Sequence, residues 1–282
     1  MKLTKKAYAK LNLSLNVAGI LDNGYHSIES VFQSVSLCDE ITVQATKSGI
    51  VVECDNELLS GSNNICFLAA AKFFEKTKHN EGVKIVINKG IPTAAGLGGG
   101  SADAAAVLIM LNQLFSYPLS QDELLSLGLN LGADVPFCIV GGTMYVAGIG
   151  EVLKATFPMP ECDIVIVKNG QKPSTKELYA RLDEKENIPH PNINEMLKAL
   201  ESGKVNGVAQ NAENSFSSVW GEEIKGIKNE LLKLGALGAE LSGSGPSVFG
   251  IFKFGEGQMA YKQLKEKYEQ VYICNPTFKG VE

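Results

Sequence analysis

Apolar and polar positions alternate over residues 7–17, with Leu11, Leu13, Leu15 and Val17 on one side and Lys10, Asn12 and Ser14 on the other; this period of two predicts a half-buried strand. Asp22-Asn-Gly-Tyr25 then reads as a turn. Two short apolar runs, 41–43 and 50–53, predict a small hairpin. Over residues 63–77 the period changes. Ala69, Ala70, Phe73 and Phe74 share one helical face, and Asn63 or Asn64 is the expected cap. A strand over 83–87 leads through a glycine-rich stretch into a helix that starts near Ser101 and runs to Leu114. Ser120 and Glu123 form a capping box for a helix over 121–131. Residues 135–140 are continuously apolar and predict a strand, followed by strands over 143–147 and 151–153.

The prolines of Phe157-Pro-Met-Pro-Glu161 interrupt regular structure and predict a boundary between domains spanning 1–157 and 158–282. Beyond it the pattern predicts a strand over 163–168 and helices over 172–182, 193–200 and 219–234, the last ended by Gly235. A glycine turn running into a strand up to Phe252 and a final helix over 257–268 complete the chain. No repeat or low-complexity tract occurs. Helices and short strands alternate irregularly, which predicts an α+β fold rather than a doubly wound sheet.

Composition narrows the function. A chain of 282 residues has room for one large or two medium cores. A net charge of −5 argues against a nucleic-acid binder held by phosphate neutralisation. Arg181 is the only arginine, so phosphates would have to be held by backbone N–H groups, lysines and a metal ion rather than guanidinium forks. The cysteines, 38, 54, 66, 138, 162 and 274, form no C-x-x-C pair and predict buried, reduced thiols. His26, His79 and His190 lack zinc spacing. No run approaches the roughly 20 apolar residues of a membrane helix, and no leader pattern is evident, so a cytoplasmic protein without membrane partners is expected.

The chemistry concentrates in a few segments. Ile91-Pro-Thr-Ala-Ala-Gly-Leu-Gly-Gly-Gly-Ser-Ala-Asp lies between a predicted strand and a predicted helix. Its glycines let the backbone approach a ligand, and the helix start supplies unpaired N–H groups, an arrangement suited to phosphate. A Walker loop is excluded because no lysine lies between Lys89 and Lys154, and the Rossmann glycine spacing is not met. The alternative is a tightly packed connection. Ser242-Gly-Ser-Gly-Pro246 could fold over the same phosphates or be a plain turn. Asp134, in Gly132-Ala-Asp-Val-Pro136, could cap a turn or do chemistry. Lys10 and Asn12 could lie on a solvated face, and Tyr25 and His26 could line an ordinary turn or stack on and hydrogen-bond to a base.

Taken in order, AKLNLSL, NGYH, IPTAAGLGGGSADAA, GADVPF and LSGSGPSVF resemble the GHMP small-molecule kinases over nearly the whole chain. The resemblance implies a two-domain GHMP kinase fold, with an N-terminal ribosomal-protein-S5-like domain and a C-terminal ferredoxin-like α/β sandwich. It also implies transfer of a phosphoryl group from ATP, with Mg2+, to an alcohol. The AKLNL, GYH and GADVPF segments point to the branch whose substrate is a cytidine diphosphate alcohol, acting as a monomer or weak homodimer without nucleic acid. Lys10 and Asp134 match the family's catalytic pair. Pro92, Thr93, Ala94, Ala95, Gly96, Leu97, Gly98, Gly99, Gly100, Ser101 and Ala102 match its ATP-phosphate loop, with Asn64, Ile65 and Lys89 expected near the adenosine. Ser101 is the expected metal contact. Asn12, Tyr25 and His26 match the cytidine end of the substrate, and Thr175 and Tyr179 fall where the second domain closes over that base. Ser242, Gly243, Ser244 and Gly245 form the second glycine loop. Asn23 stands where the family usually has Asp, and Tyr8 where Pro is common. The rival readings are a relative acting on homoserine, mevalonate or a sugar, and a non-catalytic nucleotide-binding regulator; the glycine spacing disfavours a dinucleotide-dependent oxidoreductase.

Overall fold

The structure is a computed structural model that describes residues 1–22 and 24–282; Asn23, and with it the centre of the expected turn, lies outside the described residues. Strands β1 (Lys2–Ile20) and β2 (His26–Thr46) pair antiparallel along their whole length, from Lys2 opposite Gln44 to Ile20 opposite His26. Register shifts at Tyr8/Ala9, Asn12/Ser14 and Val17/Gly19 coil this ribbon. β2 is long enough to pair with two further strands on its other edge, β4 (Gly82–Asn88) through residues 40–46 and β5 (Thr143–Gly148) through residues 28–33. With β3 (Ile50–Cys54) and β6 (Val152–Ala155) the sheet runs β3-β4-β2-β5-β6, and β1 pairs with β2.

Two expectations are corrected here. Residues 41–43 and 50–53 do not form a hairpin, because β3 pairs in parallel with β4 and not with β2. β3 alternates, with Val52 and Cys54 buried and Val51 exposed, and a half-buried strand of this kind can add to any edge that offers a covered face. Residues 135–140 form a helix, not a strand. Pro136 sits in the first turn, where a fixed φ and a missing N–H are tolerated.

Helices α1 (Ile65–Thr77), α2 (Gly99–Leu114), α3 (Gln121–Leu129) and α4 (Val135–Val140) cover one face of this sheet. Asn64 is the cap of α1, and Ser120 and Glu123 make the expected capping box of α3. α2 is apolar nearly all round, as a central helix must be, and its alanines 102, 104, 105 and 106 let it lie close to α1 and β1.

The second sheet follows the Pro158-Met159-Pro160 stretch. Its order is β10-β7-β9-β8, all antiparallel, with β7 (Cys162–Lys168), β8 (Gly238–Leu241), β9 (Ser247–Lys253) and β10 (Gln270–Cys274). Helices α5 (Thr175–Asp183), α6 (Ile193–Glu201), α7 (Val205–Gln210), α8 (Glu222–Lys233) and α9 (Gly257–Lys265) surround it. α7 and β10 were not expected from the pattern. α5 starts at Thr175 rather than 172 because Ser174 caps it, accepting from Glu177 N–H. β7 is buried on both faces. Ile164 and Ile166 join the core under the first sheet, while Val165 and Val167 join a separate core with Leu231, Ala260 and Leu264. The C-terminus returns to β1, where Lys6 N–H donates to Glu282 C=O and Tyr8 N–H to Gly280 C=O. A proline at position 8 could not make the second bond, and the Tyr8 hydroxyl adds a 2.9 Å bond to the Glu282 carboxylate.

All six cysteines are free thiols, and all but Cys38 are buried. Among the described residues no helix is long and apolar enough to cross a membrane.

Candidate active site

The glycine-rich loop lies between β4 and α2, and its shape depends on two close approaches. Gly96 has φ of 77°, and a Cβ there would lie 2.4 Å from the carbonyl oxygen of Ser242. Gly98 has φ of 71°, and a Cβ there would lie 2.8 Å from Cγ of Lys10. Both positions exclude a side chain sterically and conformationally. Gly98 is the residue before α2, and no side-chain hydrogen bond caps that helix. The first amides of α2 and the positive end of its dipole are therefore available to an anion. Helix α2 begins two residues earlier than expected, at Gly99, so the Ser101 hydroxyl sits within its first turn.

Lys10 passes beneath this loop. It is only 4 % exposed, so the solvated-face reading does not hold. Its ammonium donates to Asn12 Oδ1 at 2.8 Å, pairs with Asp134 Oδ2 at 3.3 Å and lies 4.3 Å from the Phe32 ring centroid. Asn12 donates in turn to Ser30 Oγ, whose hydroxyl donates to Ser14 C=O. A buried ammonium needs such partners, and the ring face adds to them. Asp134 immediately precedes α4, but its side chain makes no capping bond and turns to Lys10 instead. Residues from β1, β2 and the start of α4, far apart in sequence, thus meet at one point.

Lys89 forms a second buried cluster under the loop. Its ammonium donates to Asp39 Oδ2 at 2.5 Å and to Asp103 Oδ2 at 2.8 Å. Asp39 Oδ1 accepts the N–H groups of Gly90 and Ile91, at the loop's beginning. Burial opposes the charge on Lys89, but the Asp103 and Asp39 carboxylates outweigh it and its pKa is raised. Asp103 is also raised, above all by burial, which overcomes the pull of Lys89.

These groups border one cavity of about 1260 Å³. The lining includes Pro92 to Ser101, Asn64, Ile65 and Lys89; Ala102 lies in the core behind it. Asn64 both caps α1 through Cys66 N–H and donates to Leu59 C=O, and Leu58 and Leu59 form the adjoining wall. At the opposite end lie Tyr25, His26, Thr175, Tyr179 and Phe216. The His26 and Tyr179 rings stack at 4.3 Å, and Tyr179 meets Phe216 edge-on. His26 Nε2 lies 2.7 Å from Asp183 Oδ1. A carboxylate only accepts, so Nε2 carries a proton and Nδ1 is the ring's remaining polar atom.

Asn12 borders the cavity, but its side chain is committed to Lys10 and Ser30 rather than grouped with Tyr25 and His26. The second glycine loop divides. Gly243 and Ser244 face the cavity, while Ser242 donates its hydroxyl to Gly96 C=O, so Ser242 and Gly245 support the first loop from behind. Asp39, Asp103, Lys172 and Asp183 were not singled out from the sequence. Only Asp183 left a trace there, since residues 175, 179 and 183 repeat at helical spacing.

A mixed two-sheet fold, a glycine loop feeding an uncapped central helix, and a lysine–aspartate pair at its edge together define a class. The chain belongs to the GHMP kinases: the family's N-terminal domain matches residues 64–142 and its C-terminal domain residues 196–270. Among curated proteins it is 41 % identical over 273 residues to the 4-diphosphocytidyl-2-C-methyl-D-erythritol kinase of Clostridium tetani, covering 95 % of this chain and 98 % of that one. The enzyme of the same name from Acetivibrio thermocellus is 44 % identical over 277 residues, covering 96 % and 98 %. A crystal structure of 4-(cytidine 5'-diphospho)-2C-methyl-D-erythritol kinase superposes with a TM-score of 0.84 at 30 % identity, covering 97 % of this chain and 99 % of that one.

Proposed function

We propose that this chain transfers the γ-phosphoryl group of ATP to the 2-hydroxyl of 4-diphosphocytidyl-2-C-methyl-D-erythritol, giving the 2-phosphate and ADP, a step of non-mevalonate isoprenoid precursor synthesis. The observation that carries the reading is one cavity holding both the Lys10–Asp134 pair beside the glycine loop and the His26–Tyr179 stack. Aromatic faces suit a pyrimidine base, and homoserine, mevalonate or a sugar offers none. Division of labour at about residue 157 fits this plan: the first part holds the nucleotide and the catalytic pair, and α5 of the second covers the base.

The geometry supports the following mechanism. The α2 amides and the loop from Pro92 to Ser101 take the triphosphate. A carboxylate is too weak a base to deprotonate an alcohol outright, so Asp134 orients the 2-hydroxyl and accepts its proton late, as a loose transition state allows. Lys10, held by Asn12 and Phe32, stabilises the charge spreading over the transferred group. Among the described residues no cluster of three acidic, His or Cys side chains could cage a metal. Mg2+ would be held on this chain by the Ser101 hydroxyl, a hard oxygen donor that suits it, with phosphate oxygens of the bound nucleotide as its main ligands. It would neutralise phosphate charge there.

ADP release is measured with the cytidyl substrate against homoserine, mevalonate and sugars; turnover confined to one of the latter refutes the substrate assignment. Asp134→Asn should lower kcat by about 10²- to 10⁴-fold with KM for ATP unchanged. Full activity in that variant removes Asp134 from the chemistry.

A further inference from the structure

A half-buried cation faces the cleft, and among the described residues it forms no ion pair. Lys172 lies in the connection between β7 and α5, on the wall of the cavity that holds Lys10 and Asp134. Among the described residues no carboxylate comes within ion-pairing distance of its ammonium, and the only charges that reach it are those of Lys10 and Asp134. Burial lowers its pKa, Lys10 lowers it further, and Asp134 opposes both. The other buried lysines on this cavity are committed, Lys10 to Asn12 and Asp134, and Lys89 to Asp39 and Asp103. A partly desolvated charge with no partner destabilises the protein, and an arriving anion relieves that cost.

Its place in the fold says which anion. From Lys172 the chain enters α5, whose Thr175, Tyr179 and Asp183 follow one another along the cavity wall to His26. A ligand with its base at the His26–Tyr179 stack and its reacting hydroxyl at Asp134 would run along the wall that carries Lys172, which lies close enough to Lys10 and Asp134 to feel their charges. We propose that Lys172 is a phosphate contact supplied by the second part of the chain, gripping phosphoryl oxygens between the base end and the Lys10–Asp134 pair. This rests on the functional reading above. The oxygens belong either to the diphosphate of the bound substrate or to the phosphoryl group in transit.

The test compares wild type with Lys172→Met and Lys172→Arg, using calorimetric titration with CDP, cytidine and ADP together with steady-state kinetics. A charge-assisted contact of this kind corresponds to about 10- to 100-fold in affinity. If Lys172→Met weakens CDP by that factor, leaves cytidine unchanged, and Lys172→Arg retains most of the affinity, Lys172 holds the substrate diphosphate. If nucleotide affinities and both KM values hold while kcat falls at least tenfold, it holds the transferred group. Unchanged binding and kcat overturn the proposal, as does a loss confined to ADP. Should Lys172→Met fail to fold, Lys172→Gln serves in its place. A wild type that binds neither cytidine nor CDP defeats the cytidyl reading, and the kcat comparison with whichever alcohol it phosphorylates then decides Lys172 alone.

Discussion

Replacing Lys89 with methionine tests the buried cluster under the glycine loop. Asp39 Oδ1 keeps the N–H groups of Gly90 and Ile91, but Asp39 Oδ2 and Asp103 Oδ2 each depend on Lys89, and Asp103 Oδ1 already has no partner. At pH values where Asp103 is ionised, the substitution therefore leaves two carboxylates side by side, nearly removed from water, with three oxygens lacking donors. Breaking a buried charge set by removing one member typically costs about 3–5 kcal/mol, against a total stability of about 5–15 kcal/mol for a folded domain. The pH dependence has a definite sign. Asp103 has a folded pKa raised to about 8, so between the ordinary carboxylate range and that value the folded state holds a proton that the unfolded state has lost. Its contribution to stability is complete at acid pH and is lost as pH rises through that window. Removing Lys89 removes an influence that lowers the Asp103 pKa, so the deficit of Lys89→Met should be smaller near about pH 5 than near about pH 9. Urea unfolding at both values measures it. Near about pH 9, Asp103→Asn in the methionine background should restore part of the loss by removing one buried charge, and in the wild-type background it should flatten the fall in stability with pH. A deficit below about 1 kcal/mol at both values, or one that grows on acidification, would refute the reasoning.

Other outcomes follow from the same geometry. Gly96→Ala must place a side chain at a φ of 77° and against the Ser242 carbonyl; it should cost about 1–2 kcal/mol for the backbone and about 1–3 kcal/mol for overpacking, with a raised KM for ATP, read by melting and kinetics. Asp183→Ala frees His26 Nε2, and should raise KM for the cytidyl substrate several-fold while sparing KM for ATP. Tyr25→Ala and His26→Ala should do the same more strongly; a loss of ATP affinity with substrate affinity intact would show the base pocket to be misplaced.

The legible features were local ones. Four glycines between an alternating run and a helical run state that the backbone must bend tightly and approach something, whatever surrounds it. The capping box at Ser120, a cap at Asn63 or Asn64 and the strand through Leu11 were readable for the same reason, since each is decided within a few residues. The helix at Val135–Val140 was misread because six apolar residues satisfy either period, and Pro136 was the only sign in favour of a helix start.

By itself, then, the amino-acid sequence determined the α+β character, the glycine bend before α2, and the residue types Lys10, Asp134, Tyr25 and His26 on which the proposed chemistry rests. Tertiary structure decided which strand accepts β3, that Lys10 is buried against Asp134, that Lys89 pairs with Asp39 and Asp103 at the cavity wall, and that Lys172 and Asp183 come to the cleft at all. The difference has a physical origin. Periodicity and turn residues report the surroundings of one segment, whereas an ion pair or a stacked ring depends on a distance between residues as far apart as His26 and Asp183, and only the packed chain sets that distance.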